Sequence, residues 1–385
     1  MVIPDQYKGR EQAYFKHRLL EAYLERLFMI IGQHQKTICY VDCFAGPWQE
    51  KGTDLEDTSI ARSLNIIKKC RTSLAMNRIY PEFRALFIEK SPNAFRKLED
   101  YLASRNTDNI TTCAMKGSFF DLREEILSWC GLDSFVFFFI DPSGWKKSVE
   151  IPTLKPLLKR SKSEFLINFM YDFLSRTAPQ PQFQEDMQAI FGIVPDTRGM
   201  LPEEREARLV SLYRNNLKQI SPASGGQPRT ACVKVLMPTK DRTLYHLVYL
   251  TFHPKGIVEF MEASEKLDLV QKKARALAKQ DKRVQKSKQF ELYPADEFVG
   301  ENQTDLDLSE VKEYWLARLS LEPKRFGIRE LADMLEQTEW LPTDFQKAFR
   351  ALVREGKARN LDAKRSRPVN PVNFEKEEIL VRVKS

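Results

Sequence analysis

Carboxylates stand at the ends of three apolar runs in the first half of this 385-residue sequence. Asp42 and Glu89 close the first two runs, and Asp141 closes the third, directly before Pro142. Because the carboxyl ends of parallel strands meet at one edge of a sheet, we expect these acids to gather in one crevice. Carboxylates in such a position accept hydrogen bonds from hydroxyl and amine groups, or contact a cation. The pattern therefore predicts a binding site for a polar small molecule.

The elements that would position these acids alternate between strand and helix patterns. The strand patterns are nearly continuous in apolar residues, as expected for parallel strands covered on both faces; they cover residues 37–45, 84–90, 135–142 and 164–173, with a further strand within 111–122. Helix patterns cover residues 14–32, 58–71, 91–105, 120–131 and 152–161. Two later strand patterns, within residues 231–254, predict an antiparallel hairpin at one edge. The alternation predicts a doubly wound α/β sheet.

The polar residues at the strand ends suit a nucleoside cofactor. Gly46 would let the backbone approach a ligand closely. No G-x-G-x-x-G run or P-loop follows the first strand, which argues against dinucleotides and triphosphates. Glu89 could accept two hydrogen bonds from ribose hydroxyls, and Ser118 or Asp121 could read an adenine amine. A sulfonium cofactor fits best, since Asp42 would meet a cation rather than a phosphate.

Four motifs carry a resemblance to a known family. In this order, YVDCFAGP, FIEKSP, GSFFDL and FFFIDPSGW resemble Rossmann-type S-adenosylmethionine methyltransferases, and more narrowly the three-Cys-motif partner proteins (TcmP). The family pattern also includes a basic N-terminal helix like KHRLLEAYL, INF in the fifth strand and a closing YHLVYLTFHPKG. The resemblance covers about residues 11–262. It implies a Rossmann-like methyltransferase domain, S-adenosylmethionine as the cofactor and a three-Cys-motif protein as a partner.

The resemblance also assigns roles by position. It implies a cofactor site made by the first turn and the next two strand ends: Asp42, Phe44, Ala45, Gly46, Pro47, Glu89, Ser118 and Asp121. Asp141 and Pro142 would hold a nucleophilic amine, and Trp145 would stack on a flipped base. Asp-Pro-Ser-Gly stands where amino-methylating nucleic-acid enzymes have Asp-Pro-Pro-Tyr, and Trp48 replaces a frequent second glycine. These departures leave the methylated atom open.

Several of these residues also have structural interpretations. Asp42 could cap a turn, and Asp121 could be the N-cap of the following helix. Tyr171 and Asp172 follow the fifth strand and could line the mouth of the site, although Tyr171 also suits a core. Residues 174–230 are a polar insertion that we expect to form a lid or a helical element on the substrate side.

The C-terminal part of the chain has a different character. Residues 1–262 form the first predicted domain, 263–300 a basic helical connector and 301–385 a last domain. Three helix patterns followed by two strand patterns predict that this last domain is a winged helix. Its basic side chains would contact the phosphates of DNA or RNA: Lys347, Arg350, Arg354, Arg365 and Arg367. Winged helices also dock proteins, and that alternative stays open.

Composition sets outer limits on the function. The formal net charge of +8 is compatible with a polyanionic partner but does not require one. Six scattered cysteines and four histidines provide no zinc-binding spacing, so reduced, mostly buried thiols are expected. The sequence shows no signal peptide or membrane-spanning run, and we expect a cytoplasmic protein. The alternative to an enzyme is a non-catalytic partner protein that keeps a relic of the pocket and docks protein or DNA through its winged helix.

Overall fold

The structure is a computed structural model that describes residues 7, 11–46, 58–105, 107, 109–142, 144, 146–220, 226–288, 293, 295–299, 307–365 and 367–384. The chain divides into two compact units, Met1–Phe252 and His253–Ser385. The division falls ten residues before the predicted boundary at 262, which lies inside a helix. The predicted three-part organisation stays a prediction.

A mostly parallel sheet forms the centre of the first unit. Within the described residues its strands are β1 Thr37–Asp42, β2 Glu82–Glu89, β3 Ile110–Lys116, β4 Phe135–Ile140, β5 Ser163–Phe169, β6 Arg229–Leu236 and β7 Thr243–Thr251. They lie in the order β3-β2-β1-β4-β5-β7-β6. β7 runs antiparallel to both β5 and β6, and β1 is parallel to both β2 and β4. The predicted doubly wound sheet with an antiparallel edge pair is confirmed, and the strand order reverses between β1 and β4.

Helices cover this sheet: α1 Glu11–Ile31, α2 Ser59–Met76, α3 Pro92–Ser104, α4 Arg123–Cys130, α5 Ile151–Leu158, α6 Tyr171–Thr177, α7 Gln184–Phe191 and α8 Pro202–Lys218. Local signals explain where two of them begin. The Ser91 hydroxyl caps α3 by accepting from Ala94 N at 3.5 Å, with Pro92 at the first helical position, as predicted. The Thr58 hydroxyl caps α2 by accepting from Ala61 N at 3.2 Å.

The central strands are buried because helices cover both of their faces. All six residues of β4 are buried, and Phe138 stacks on Phe165 of β5 with ring centroids 5.0 Å apart. Continuous apolar sequence is what a parallel strand in this position requires. The same layer of the core receives α7 and α8, through Met187, Ile190 and Tyr213 among others.

For residues 174–230, a lid or a helical element on the substrate side stays a prediction. Its described residues include the helices α7 and α8, and both helices pack into the main core. Leu209, Tyr213 and Leu217 lie on one face of α8 at helical spacing and are fully buried. Burying that apolar stripe holds the segment in place.

The second unit begins with the long helix α9, Pro254–Ser287. It continues with α10 Leu308–Arg318, β8 Lys324–Phe326, α11 Ile328–Gln337, α12 Pro342–Arg354, β9 Ala358–Asn360 and β10 Glu378–Arg382. The strands form an antiparallel sheet in the order β8-β10-β9. Three short helices and two closing strands agree with the predicted order of elements, and β8 is an additional strand between the first two of these helices.

Helix α9 and the core of the second unit complete the fold. α9 contacts α11 and α12, so the predicted basic connector belongs to a helix that packs within this unit. Trp315 fills the centre of the unit and is fully buried against Phe349 and Phe326. Among the described residues, no helix is both long and apolar enough to cross a membrane.

Candidate functional site

The turn after β1 is tied to both neighbouring strands. Cys43 N donates to Phe139 O of β4 at 2.9 Å, and Ala45 N donates to Ile88 O of β2 at 2.8 Å. The turn thus lies where the strand order reverses, which we call the switch point. In open α/β sheets this crevice is where ligands bind.

Glu89 and Gly46 lie directly against each other beside the switch point. A Cβ atom built on Gly46 would lie 2.0 Å from Glu89 Oε2, so a side chain at position 46 would displace this carboxylate. Glu89 Oε1 accepts from Ser91 N at 2.5 Å, and Glu89 is half-buried. The absence of a side chain at Gly46 therefore leaves room for the Glu89 carboxylate next to the turn after β1.

Asp42 is fully buried, and the protein's own donors occupy both of its oxygens. Ser59 Oγ donates to Oδ2 at 2.7 Å, and Phe44 N donates to Oδ1 at 3.1 Å. Burial raises the pKa of Asp42 to about 7, although these two hydrogen bonds lower it. Asp42 thereby joins the turn to the start of α2, and its contact with a cofactor stays a prediction.

The stability of the Asp42→Asn variant relative to wild type is expected to rise with pH. Because the pKa in the folded state lies above that of the unfolded chain, the favourable contribution of the bound proton is complete below about pH 4. It is lost as pH rises through about 7. The uncharged amide does not titrate, so the stability of the variant relative to wild type should rise by up to about 4 kcal/mol between pH 4 and pH 8. Urea unfolding at several pH values measures this.

Asp196→Asn is the matched control for that experiment. Asp196 is exposed, and the side-chain hydrogen bond from Arg198 lowers its pKa to about 2. Its contribution to stability is lost as pH falls, so this variant should show no gain as pH rises. A difference between Asp42→Asn and wild type that is the same at every pH would contradict a protonated, buried carboxyl group.

Asp141 is engaged by two residues from other elements. Lys16 of α1 forms an ion pair with Oδ2, and Asn168 Nδ2 of β5 donates to Oδ1 at 2.7 Å. The side chains of Lys16 and Asp141 are only 13% and 18% exposed. Asp141 is therefore held in place with both oxygens occupied, which conflicts with its predicted role as the acceptor of a substrate amine.

Asn168 carries an acceptor that lacks a partner. The residue is 4% exposed, and its Oδ1 makes no hydrogen bond to any described residue. A buried polar atom in that state costs about 1 to 3 kcal/mol, so such atoms are rare. This buried oxygen lies beside Asp141 near the end of β5.

The remaining predicted site residues of the first unit differ in their burial and in their contacts. Ser118 is half-buried and its carbonyl accepts from Asp121 N at 3.0 Å. Asp121 is exposed, and Leu122 is the N-cap of α4, so Asp121 does not cap that helix. Phe44 packs on Phe119 with ring centroids 5.4 Å apart, which brings the first turn to the loop after β3.

Other residues near this edge have structural roles or cannot be placed. Tyr171 is buried in an edge-on contact with His246, so it belongs to the core. Asp172 forms ion pairs with Arg176 and Arg242. Pro142 is buried, whereas Pro47 and Trp145 lie outside the described residues, and their predicted roles stay predictions.

The predicted basic residues of the second unit include several that line two cavities. Lys347 lines a cavity of about 880 Å³ between α9 and α12. There, Glu265 of α9 accepts from Thr343 N at 3.3 Å, at the start of α12. This acid occupies the end of the helix that would enter a DNA groove. Arg367, another of the predicted contacts, lines the same cavity.

The remaining basic residues lie near β9 and β10. Arg367 pairs with the buried Glu378 at 2.6 Å, and Arg350 donates to Pro368 O. Arg354 and Arg365 are exposed. Five cations and two acids line a second cavity of about 610 Å³: Arg325, Lys364, Arg365, Arg367 and Lys376 with Asp362 and Glu378.

Sequence reasoning missed Lys16 and Asn168. The motifs KHRLLEAYL and INF contain them, but neither residue was assigned a role. The pairs lie 125 and 27 residues apart in the chain, and only the folded sheet shows which carboxylate they meet.

Comparisons with known proteins give little help. No family model matches the chain, and no curated protein matches it. A Legionella pneumophila protein of solved structure is 11% identical, with a TM-score of 0.38, and the alignment covers 67% of this chain and 92% of that one. A Bacillus cereus O-methyltransferase in complex with SAH is 12% identical, with a TM-score of 0.33 and coverage of 60% and 80%. A Geobacter metallireducens precorrin-6y C5,15-methyltransferase is 14% identical, with a TM-score of 0.28 and coverage of 59% and 86%.

Proposed function

We propose that this chain binds S-adenosylmethionine at the switch point and is a methyltransferase-like protein. The observation that carries the proposal is the position of the turn after β1. It is bonded to β2 and β4 on either side, with Glu89 held against Gly46. Ligand sites of open α/β sheets lie at this position. The motifs that resemble the three-Cys-motif partner proteins fall on the same turn and strand ends.

The residues at the switch point fit an adenosine cofactor. Glu89 offers a half-buried carboxylate to the ribose hydroxyls, and the backbone of Ala45 and Gly46 forms the adjoining wall. Ser118 and Asp121 lie on the adenine side of this proposed arrangement. When bound, S-adenosylmethionine supplies an electrophilic methyl carbon on a sulfonium sulfur. Asp42 holds the turn and keeps its backbone groups in position.

Asn168 takes the acceptor role that the sequence suggested for Asp141. Its unpartnered Oδ1 would accept an N–H from a nucleophilic amine and direct the nitrogen lone pair. The ion pair of Lys16 with Asp141 orients the amide from the other side. Positioning of this kind contributes most of what a methyl transfer needs, on the order of 7 to 11 kcal/mol in favourable cases.

Transfer of a labelled methyl group tests the proposal directly. The protein is incubated with labelled S-adenosylmethionine and with separate pools of DNA, RNA and cell-extract protein. We expect the labelled methyl group to appear in one of the three pools. The Asn168→Ala variant should no longer transfer the methyl group but should keep its affinity for the cofactor. If Asn168→Ala transfers as well as wild type, the role given to this amide is wrong.

We further propose that a nucleic acid is the substrate or the platform on which the protein acts. Support comes from the basic cavity beside β9 and β10, where Lys364 and Arg365 are exposed. Phosphate contacts by such residues would provide sequence-independent affinity. Because Glu265 occupies the start of α12, this proposal places the contact at the hairpin rather than at the helix end.

Arg365→Ala is expected to weaken duplex binding without changing stability. The exposed side chain would contribute one phosphate contact, so the slope of log K against log salt should fall by about 0.9. Fluorescence anisotropy at several salt concentrations measures this slope. Arg367→Ala is the contrasting variant, because it removes the ion pair of the buried Glu378 and should lower the free energy of unfolding by about 1 to 2 kcal/mol. Equal salt slopes for Arg365→Ala and wild type would argue against a phosphate contact.

One observation favours a different function. Both oxygens of Asp141 are occupied by Lys16 and Asn168, as in a site that no longer performs chemistry. In that case the chain would be a non-catalytic partner, and its companion would be a three-Cys-motif protein. Stable co-purification of such a protein, together with no methyl transfer to any pool, would favour this alternative.

A further inference from the structure

A half-buried cysteine lies beside a histidine at the antiparallel edge of the first sheet. Lys234 of β6 pairs with His246 of β7, and Cys232 pairs with Val248. Residues paired in this way share a face, so Cys232 and His246 are diagonal neighbours within reach of each other. Asn168 is paired with Leu247, which alternates to the other face. This group of residues is therefore separate from the cofactor site.

A carboxylate holds the Nε2 atom of His246. The residue is 2% exposed, and its Nε2 lies 3.0 Å from Glu206 Oε1 of α8. Burial alone would raise the pKa of Glu206. His246 and Lys234 lower this pKa by more, to about 2. An ionised Glu206 accepts a hydrogen bond from Nε2–H, which leaves Nδ1 as the basic nitrogen. Nδ1 has no hydrogen-bond partner among the described residues.

Cys232 is the other group that interacts with this imidazole. Burial lowers the pKa of His246, but the interactions with Cys232 and Glu206 raise it by more. The pKa of His246 therefore lies above its usual value. The half-buried Sγ of Cys232 lies 4.0 Å from Arg214 Nη1. That guanidinium is fixed by Thr230, whose carbonyl oxygen accepts from Nη2 at 2.7 Å. A thiol, a base, an acid that orients the base and a nearby cation are thus assembled at one place.

We propose that Cys232 is a nucleophilic thiol, with His246 as its base and Glu206 as the group that orients this base, and that it exchanges with small anionic disulfides. His246 Nδ1 takes the thiol proton, and Cys232 Sγ attacks one sulfur of the disulfide. A new S–S bond forms while the old one breaks, and the second sulfur leaves as a thiolate that takes up a proton. Cys232 is oxidised to the mixed disulfide and the leaving thiol is the reduced product.

The surrounding charges favour an anionic partner. Lys234 and Arg214 flank the thiol on β6 and α8. The charged and titratable groups around His246 and around the Tyr171 ring that packs against it are Glu206, Arg205, Arg214, Lys234, Tyr171, Asp172 and Arg242. Four of these carry positive charge and two are carboxylates. A negatively charged disulfide would therefore be attracted more strongly than a neutral one.

The chain contains internal controls for this reactivity. Cys113 is also half-buried, but burial raises its pKa. Cys70 is buried, and burial raises its pKa to about 12. A difference in rate between Cys232 and Cys113 therefore reports the surroundings of Cys232, since both residues are half-buried.

The test is the reaction of the native full-length chain with the dianionic disulfide dithiobis(nitrobenzoate), followed residue by residue with mass spectrometry. At pH 7 we expect Cys232 to react at least tenfold faster than Cys113. The advantage should shrink in high salt and with the neutral disulfide dithiodipyridine, because screening or removing the charge removes the attraction. Glu206→Gln and His246→Asn should each slow Cys232 about tenfold, with Cys113 unchanged and the circular dichroism spectrum retained.

The wild-type pH profile keeps the test decisive if these variants fail to fold. Because His246 takes up the thiol proton, the rate at Cys232 should fall less steeply from pH 8 to pH 6 than the rate at Cys113, which should fall about tenfold for each unit. A Cys232 rate equal to that of Cys113, or a parallel fall of the two rates with pH, would overturn the proposal. Equal rates with the anionic and the neutral disulfide would overturn the stated class of partner.

Discussion

Replacing Glu89 by alanine is expected to weaken the binding of S-adenosylmethionine by about 10- to 100-fold. A hydrogen bond to a charged acceptor contributes about 1.5 to 3 kcal/mol, and about 1.4 kcal/mol corresponds to a tenfold change in affinity. Glu89 is half-buried beside Gly46, so its carboxylate is less screened by water than an exposed one. Calorimetric titration of the cofactor into wild type and variant measures the difference.

Glu82→Ala is the matched control for this substitution. Glu82 lies at the other end of β2, is exposed, and forms an ion pair with Arg84 at 2.8 Å. It shares the strand and the residue type with Glu89 but lies far from the switch point, so affinity should stay at the wild-type value. Equal affinities of Glu89→Ala and Glu82→Ala would remove Glu89 from the proposed site.

The largest expected effect on stability is that of Trp315→Ala. The side chain is fully buried, and its Nε1 donates to Phe345 O at 3.0 Å. Removing a buried tryptophan costs about 3 to 5 kcal/mol through lost burial and the cavity that remains. The substitution also leaves the buried carbonyl of Phe345 without its hydrogen-bond donor, which adds to that cost. Limited proteolysis of the full chain measures this effect. Residues 308–382 should be cleaved faster in the Trp315→Ala variant than in wild type.

Trp340→Ala provides the control within the same unit. Trp340 is partly exposed and meets Tyr314 edge-on, with ring centroids 5.4 Å apart. Its loss should cost clearly less than that of Trp315, because less apolar surface leaves a buried environment. If both variants are cleaved at the same rate, Trp315 is not the centre of the core of this unit.

The strands of the first sheet could be predicted because their sequence pattern has one physical cause. A parallel strand between two helical layers must be apolar on both faces, and β4 and β5 are buried along their whole length. The three-residue strand β8 was missed for the opposite reason. Two of its residues, Lys324 and Arg325, are exposed, so no apolar run marks it.

The polar site was only partly predictable. The ends of the strands placed Asp42, Glu89 and Asp141 at one edge, because parallel strands share a direction. Which groups occupy each carboxylate depends on residues far away in the chain, such as Lys16 and Ser59. Polar contacts of this kind leave no periodic signal in the sequence.

Residues 174–230 show that the spacing of apolar residues says more about packing than mean composition does. Residues 174–230 are polar on average, but α8 places Leu209, Tyr213 and Leu217 on one face, and this face is buried. The apolar residues recur at helical spacing, and this periodicity is more informative than mean polarity.

Hydrogen exchange of the wild-type chain with and without S-adenosylmethionine tests the central claim most directly. At saturating cofactor we predict slower exchange in the peptides that contain residues 42–46, 87–91 and 116–122, which surround the switch point. Exchange that is unchanged along the whole chain, or slowed only in peptides of other regions, would contradict the claim that the carboxyl edge of this sheet binds the cofactor.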